Sequence, residues 1–515
     1  MLPLNQVAIR LHPDDDVVVL KKSIEAGTVL DSGEGAVTVA RATQRGHKLA
    51  VRPLPEGSPV RRYGQVIGFA KGTIGAGDWV HSHNLVLRDM QREYEFATDI
   101  RTMPPVGPGE AREFLGFARP GGRVGTRNYL AVISSVNCSA SVSKYVKARF
   151  PEERLRREFP NVDGVLAFTH KSGCCVQPGE PHAMLQRVLT GVARHPNVFG
   201  YVMIGLGCEG HQLSGLRTDG RLDHLRPGEA APTFLNIQQQ GGVQRTIDAA
   251  AAAVETLLPR ANAVVRTPQS LQHLILALNC GGSDGASGIT ANPALGVASD
   301  ALVRHGGTSV LAETPEIYGA EHLLTRRALT REIGEQLIRH IRWWEDYVRL
   351  FGASIDNNPS PGNKEGGLTT IYEKSLGALA KGGQAPLSAV YRYAEQIDRP
   401  GFAFMDTPGF DPVSMTGLVC GGCNVGVFTT GRGSVYGCKP APCIKVATNT
   451  ALYDHMRDDM DLNAGTILDG VETVEEVGQR IFEEIVAVAN GKRTKSEAQG
   501  LGDEEFAPWI LGPTF

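Results

Sequence analysis

This sequence has little surplus charge, no long apolar run and no repeat, and each absence removes a class of function. Net charge is −3 over 515 residues and the pI is about 6.5, so no basic face awaits nucleic acid or anionic lipid. No stretch reaches the ~18 apolar residues that a membrane span requires. Met1-Leu2-Pro3-Leu4-Asn5 lacks a basic region followed by an apolar run, so it does not read as a secretory signal. No segment recurs at a period of ~20–50 residues, which excludes solenoids and propellers. What the chain has is length. At about 100–200 residues per domain, 515 residues suggest about three domains. Their core is large enough to need no disulfide staples.

Glycine and cysteine are the unusual residues. The 61 glycines exceed the ~7% background without periodicity, which excludes collagen. They cluster with Cys, Asn, Ser and Asp, as in tight functional turns. Nine cysteines, an odd number without an export signal, indicate a reducing, cytoplasmic setting in which they serve as thiols or metal ligands.

Residues 1–98 read as a small β-rich module, with short strands at 7–11, 16–20, 47–51 and 65–70 separated by Gly, Pro and Asp turns. Residues 99–113 are Pro/Gly-rich and read as a linker. From 114 to 352, buried-strand runs (129–133, 164–168, 201–204, 274–278, 308–311) alternate with helical stretches such as 183–193, 243–258 and 330–350. That alternation predicts an α/β fold with mostly parallel, Rossmann-like sheets. Residues 353–386 read as a long polar loop, and 353–515 as a second α/β domain with strands at 401–406, 417–430 and 444–447.

Ligands of open α/β sheets bind beyond the carboxyl ends of strands. Four successive candidate strands end there in Cys-bearing, Gly-rich turns, around Cys138, Cys174-Cys175, Cys208 and Cys280. One such Cys would be an ordinary buried thiol. Four at equivalent positions point to iron, as a single ion or a cluster, or to zinc. His81-x-His83 could add two imidazoles if the segment is extended, although two solvated histidines are the plainer reading. Asn358 to Gly367 offers amides and Lys364 for a polyhydroxylated anion, or else a solvated linker. Arg432, among glycines after Thr430, suits a carboxylate clamp, with a structural salt bridge as its alternative. Cys420-Gly421-Gly422-Cys423, with Cys438 and Cys443, could be a zinc site or a redox pair. Apolar sequence between the pairs opposes the first, and a motif that opens no helix opposes the second, leaving buried structural thiols as the common case. Gly205–Gly210 matches G-x-G-x-x-G, but no acidic residue stands at the end of a second strand about 20 residues on, and Pro-rich sequence follows instead of a helix, which argues against a nicotinamide dehydrogenase. No helix-turn-helix with basic flanks supports a DNA-binding sensor.

The longer motifs carry a family resemblance. Val80-His81-Ser82-His83-Asn84 resembles the close of the SAF-type, β-clip-like domain of altronate dehydratases. Gly121–Asn128, the Gly173-Cys174 turn, Ile204–Glu209, Cys280–Gly285, Ser287–Pro293, Glu313–Glu316, Asn358–Gly367 and Thr429–Gly433 extend the likeness over nearly the whole chain. Met460–Ile467 is more similar to galactarate dehydratases. The Cys420/Cys423/Cys438/Cys443 set matches neither pattern. The resemblance implies a cytoplasmic, Fe(2+)-dependent hydro-lyase that needs no nicotinamide and no PLP. It would β-eliminate water from a hexonate or hexarate to give a 2-keto-3-deoxy sugar acid. Symmetry statistics alone add the expectation of a homo-oligomer, a dimer, and the charge balance and lack of an apolar run that of no nucleic-acid or membrane partner. Sulfolactate sulfo-lyase, a relative whose small β module is usually a separate chain, is the alternative. The residues expected to act are Cys174, Cys208 and Cys280 on the metal, with His81 and His83 as ligands or acid–base groups. His170 or Lys171 would be the base. Arg432 and Lys364 would hold the carboxylate, and Asn358, Ser283, Asp284 and Thr430 the rest of the substrate.

Overall fold

The computed structural model describes every residue except Glu34, Asp89–Gln91, Pro108 and Pro513–Phe515. Up to about residue 86, apart from one helical turn at Leu4–Val7, the chain is built of short strands, in a four-stranded antiparallel sheet and two three-stranded ones. The tightest hairpin joins Pro59–Arg62 to Gln65–Ala70 through Tyr63 and Gly64, at φ 60° and 68°. Positive φ at both central residues matches the turn to the strand twist.

Two parallel sheets follow. Their strands are numbered in chain order. The first holds β1 (Tyr129–Ser134), β2 (Gly164–Phe168), β3 (Val198–Gly205) and β4 (Thr233–Asn236), in the order β2-β1-β3-β4. The second holds β5 (Ile275–Cys280), β6 (Thr308–Leu311), β7 (Leu387–Tyr391), β8 (Gly401–Met405), β9 (Val425–Thr430), β10 (Cys443–Ala447) and β11 (Leu462–Asn463). Its order is β7-β8-β6-β5-β9-β10-β11. Every residue of β1 and β9 is buried, as expected of parallel strands covered on both faces, with helix α1 (Glu180–Ala193) against the first sheet and α2 (Arg331–Leu350) against the second. An antiparallel pair, Glu113–Ala118 with Thr267–Ser270, brings the entry and exit of the first sheet's unit together.

Strand order identifies the functional edges. In the first sheet the order of strand addition reverses at β1, between β2 and β3. In the second it reverses at β5, between β6 and β9. Crevices open at the carboxyl ends beside such switch points.

Three expectations are revised by this arrangement. Grouped by sheet, β5 and β6 go with the strands after residue 386, not with those before 270, so a division at 352 would cut one sheet. The stretch 353–386 is not a solvated loop. It contains helix α3 (Pro361–Glu365), closed by a Ser360/Asn363 capping box, and α4 (Ile371–Leu379), all nine residues of which are buried. Residues 417–421 are the end of helix α5 (Asp411–Gly421), not a strand. From Val413 on, that helix is buried on every side, so no apolar periodicity marks it, and Gly422 ends it at φ 118°. Cys420 and Cys423 therefore close a helix. Cys420 packs in a different apolar cluster from Cys423, Cys438 and Cys443, so the four thiols do not form one site.

Among the described residues no helix is long and apolar enough to cross a membrane.

Candidate active site

At the β5 switch point the structure assembles a closed acid–base cluster. Cys280 ends β5 and is buried, and its Sγ accepts a hydrogen bond from Lys381 Nζ at 2.9 Å. Glu313 follows β6 in a left-handed conformation, φ 70°, which costs a non-glycine residue about 1–3 kcal/mol. Its buried carboxylate accepts no hydrogen bond, and Lys381 Nζ stands 3.5 Å away. Glu316, one helical turn on, accepts from Lys374 Nζ at 2.6 Å and from Asn358 Nδ2 at 2.8 Å. Asp411, the first residue of α5, lies so close to Gly281 that a Cβ there would meet Asp411 Oδ2 at 2.2 Å. Only glycine permits that approach.

The two glutamates are driven apart. Burial, then the neighbouring Glu316, raises Glu313 well above the usual carboxylate range. Burial opposes the Glu316 charge too, but Lys374 and Lys381 hold its carboxyl below its ordinary value. Burial, then Glu316, pushes Asp411 up to about 6. Burial pushes the Cys280 thiol up to about 11, against the pull of Lys381. Carboxyls held in different protonation states at one site supply both an acid and a base.

Cys280, Glu313 and Glu316 are the group among the described residues whose possible metal-ligating atoms lie within 4.8 Å of one another. A cation is nevertheless already among them, since Lys381 contacts both Cys280 and Glu313. This trio fits an internally neutralised acid–base cluster better than a metal site.

Beside the cluster, the N-terminal module meets α3 in a pocket of about 570 Å³ lined by Arg41, His47, Trp79, His81, Lys364 and Glu365. Trp79 Nε1 donates to His47 Nδ1 at 3.0 Å, so His47 Nε2 carries the proton it gives to the Glu365 carbonyl at 3.1 Å. His81 Nε2 donates to the Lys364 carbonyl at 2.9 Å, which leaves Nδ1 to accept from Ser82 Oγ at 3.0 Å. Burial lowers His47 to about 4 and also lowers His81. Thus neither ring nitrogen of His81 is free for a metal. His83 is exposed, and residues 81–84 form a turn, so the alternation that would aim both rings one way does not apply. Arg432 reaches Glu365 at 3.4 Å and is half exposed at the pocket rim.

The other expected substrate residues are structural neighbours of this rim. Asp284 is saturated by Ser287 Oγ, Ala286 N, Thr448 Oγ1 and Asn449 Nδ2, at 2.9–3.2 Å. Ser283 offers its carbonyl to Asn363 Nδ2, and Thr430 Oγ1 accepts from Gly433 N. Asn358 belongs to the acid–base cluster.

Cys138, Cys174 and Cys208 follow β1, β2 and β3 of the other sheet and are exposed, whereas Cys280 is buried. His170 is not free to act as a base. Its Nε2 donates to Ser134 O at 3.0 Å and its Nδ1 accepts from Ser172 N at 3.2 Å, while burial lowers it to about 4. Lys171 is exposed beside it. A roomier cavity, about 610 Å³ and lined by Arg119, Arg123, Arg194 and Arg226, lies at the amino end of β3, away from these residues.

Sequence reasoning missed Glu313, Glu316, Lys374, Lys381 and Asp411 as acid–base groups. The strand-end rule reached the two glutamates, which follow β6 directly, but it was applied to cysteines. The lysines lay in a stretch read as loop.

Comparison with known proteins covers the whole chain. Residues 6–88 match the altronate/galactarate dehydratase SAF domain. Residues 116–262 match the second domain of D-galactarate dehydratase/altronate hydrolase, and 271–514 the C-terminal domain of D-galactarate/altronate dehydratase. Altronate dehydratase of Escherichia coli K12 is 36% identical over 495 residues, 95% of this chain and 96% of that one. Galactarate dehydratase (L-threo-forming) of the same organism is 37% identical over 502 residues, 96% and 95% of the two chains. The (2R)-sulfolactate sulfo-lyase β subunit of Chromohalobacter salexigens is 31% identical over 402 residues, 77% of this chain and 97% of that one.

Proposed function

This chain belongs to the D-galactarate/altronate dehydratase family, an enzyme of hydro-lyase type, and from that premise we propose that it dehydrates altronate or galactarate to a 2-keto-3-deoxy sugar acid. The observation that carries the reading is the split pair Glu313/Glu316, with Asp411 beside it, at the β5 switch point. Elimination needs a base for the proton next to the carboxylate, an acid for the departing hydroxyl, and stabilisation of the enediolate between them. Asp411, the least enclosed carboxylate of the cluster, takes the proton. Glu313, kept protonated by burial, gives one to the hydroxyl, which leaves as water. The enol then tautomerises to the keto acid. Lys374 and Lys381 face the developing negative charge. Arg432 and Lys364 hold the substrate carboxylate at the rim, where a planar guanidinium fork suits it.

Bound iron(II) would supply Lewis-acid stabilisation of the enediolate. The donors that fit it are the exposed strand-end thiols of the first sheet, since soft thiolates suit iron. Nine free thiols suit a reducing, cytoplasmic setting.

Elimination of sulfite from sulfolactate is the second reading. That relative's match leaves about a quarter of this chain uncovered, whereas both sugar-acid relatives align along nearly all of it. The test is anaerobic turnover of altronate, galactarate and sulfolactate, with and without added Fe(II), read as 2-keto acid or sulfite. Keto acid from a sugar acid, lost on chelation, supports the proposal. Sulfite alone replaces it with the second reading.

A further inference from the structure

Arginines short of counterions line the cavity at the amino end of β3. Its volume is about 610 Å³, and its wall carries five arginines, Arg119, Arg123, Arg194, Arg221 and Arg226, against one carboxylate, Glu229. A hairpin presents the first two. Ala118 pairs with Val124, Arg119 N donates to Arg123 O at 2.8 Å, and Gly121 and Gly122, both at φ 80°, turn the chain between them. Arg226 lies against that turn, where a Cβ on Gly121 would strike its guanidinium. Arg194 follows α1 directly and donates to the carbonyls of Gly220 and Arg221 at 2.9 and 2.6 Å.

The positive charge is partly enclosed by the fold. Arg119 is 8% exposed. Its guanidinium donates to Pro196 O at 2.8 Å, Arg127 O at 3.2 Å and Asn128 Oδ1 at 2.9 Å, all neutral acceptors, and Nη1 has no partner. Arg123 is partly buried; its Nε has no partner, and Glu229 stands 3.8 Å from it. Glu229 also accepts from Arg226 N at 2.9 Å. Burial, then Arg123, lowers Arg119 to about 9, so it stays charged at neutral pH. Burial, then Arg226, lowers Arg123 as well. A buried cation with neutral partners alone is costly, and an anion relieves that cost.

We propose that this cavity binds a small phosphorylated molecule. The guanidinium fork grips phosphoryl oxygens in pairs. A phosphoryl group brings about two negative charges and three acceptor oxygens. That suits arginines arriving from separate segments better than one planar carboxylate does. Phe199 and Tyr201 add aromatic wall, and the volume lies within the roughly 300–1,000 Å³ of small-molecule pockets, so the ligand is larger than a bare ion.

The site is separate from the acid–base cluster. Asp411 opens α5 in the cluster, and α5 ends at Gly421, eleven residues or roughly 16 Å on. The cavity lies at that far end. Ile397 and His195 line it; Ile397 N donates to Gly421 O at 2.9 Å, and His195 Nε2 donates to Cys423 O at 3.0 Å. A ligand there does not meet the reacting groups, and the site stands whether or not the chain is a dehydratase.

The experiment is isothermal titration calorimetry of the full chain with inorganic phosphate, pyrophosphate and ribose 5-phosphate, and with succinate as the carboxylate control. One phosphate compound per chain is expected to bind, more tightly than succinate. Arg119→Gln and Arg123→Gln should each weaken binding about 10–100-fold, the worth of a charged hydrogen bond. Arg217→Gln, at an exposed arginine outside the cavity, should leave it unchanged. Arg119 also holds backbone carbonyls, so Arg123→Gln decides the matter if Arg119→Gln fails to fold. No binding of any phosphate compound, or an affinity unchanged in Arg123→Gln, overturns the site. Succinate bound at least as tightly overturns the phosphoryl ligand. Binding that is lost in Arg432→Ala instead would place the ligand at the rim of the other pocket and overturn this one.

Discussion

Replacing Glu373 by Gln tests what fastens the N-terminal module to the body. The Glu373 carboxylate, on α4, pairs with Lys48 at 2.8 Å and with Arg62, and accepts from Thr369 N at 2.8 Å. Lys48, Arg62 and Glu373 are each at most 1% exposed. Burial opposes the Glu373 charge, yet Lys48 and Arg62 hold its carboxyl at about 2. Burial brings Lys48 down to about 8, so it too is charged at neutral pH. Glutamine would keep the shape and strand two buried cations, which costs about 3–5 kcal/mol. Each kcal/mol shifts a unit of about 60–100 residues by about 4–8 °C, so the lowest calorimetric transition, that of the N-terminal module, should fall by roughly 12–40 °C. Limited proteolysis should then cut between residues 99 and 113 at an increased rate. The sign with pH follows from the depressed carboxyl. Against about 4.3 in the unfolded chain, the Glu373 contribution is complete above roughly pH 5 and is lost as pH falls toward 2. The parent and Glu373→Gln should therefore converge in acid. A triple change to Lys48→Met, Arg62→Leu and Glu373→Leu should restore most of the loss, because stranded charge rather than a missing bond is the cost. A transition that moves by less than about 2 °C in Glu373→Gln refutes the argument.

Other outcomes follow from the site. The acid limb of kcat/KM should rise through about pH 6 and disappear in Asp411→Asn; a limb that survives the change removes Asp411 as the base. Glu313→Gln should raise Tm, by relieving a buried carboxyl that accepts no hydrogen bond, while abolishing turnover; lower Tm with turnover intact would make Glu313 structural. Arg432→Ala should lower kcat/KM by roughly 10–100-fold, the worth of a charged hydrogen bond, and an unchanged value takes it out of the substrate's reach. His47 protonates at about 4 in the fold against about 6.5 unfolded, so stability falls as pH drops through that window. The Trp79 hydrogen bond to His47 should break near pH 4, read as a change in tryptophan emission absent from Trp79→Phe. A change centred near 6.5 contradicts the burial argument.

Much of the fold was legible in the sequence because parallel strands buried on both faces are continuous apolar runs. β1, β2, β5 and β6 lie where those runs predicted them. Which strands share a sheet was not legible. β5 pairs with β9, almost 150 residues later, and no local pattern records that partnership. Helix α5 was missed for the same physical reason that it is central, since enclosure removes periodicity. Helix α4 was hidden by polar neighbours, though its Lys374 and Glu373 are buried only because each has a counter-charge. At the site, the strand-end rule pointed to strand ends of both sheets and treated them as one. It could not tell that Cys280 sits under Lys381 while the other three thiols face solvent.

Glu373 and Lys374 are consecutive on α4, and they face different halves of the protein. One anchors the N-terminal module through Lys48 and Arg62; the next ties down Glu316 in the acid–base cluster. The docking pair and the acid–base cluster are thus one peptide bond apart, which ties the module to the body's interior. A body produced without it would present at Glu373 a buried acid with no counterion. Complementation in trans would require a second polypeptide to bring a lysine and an arginine to that single carboxylate before the catalytic helix could settle.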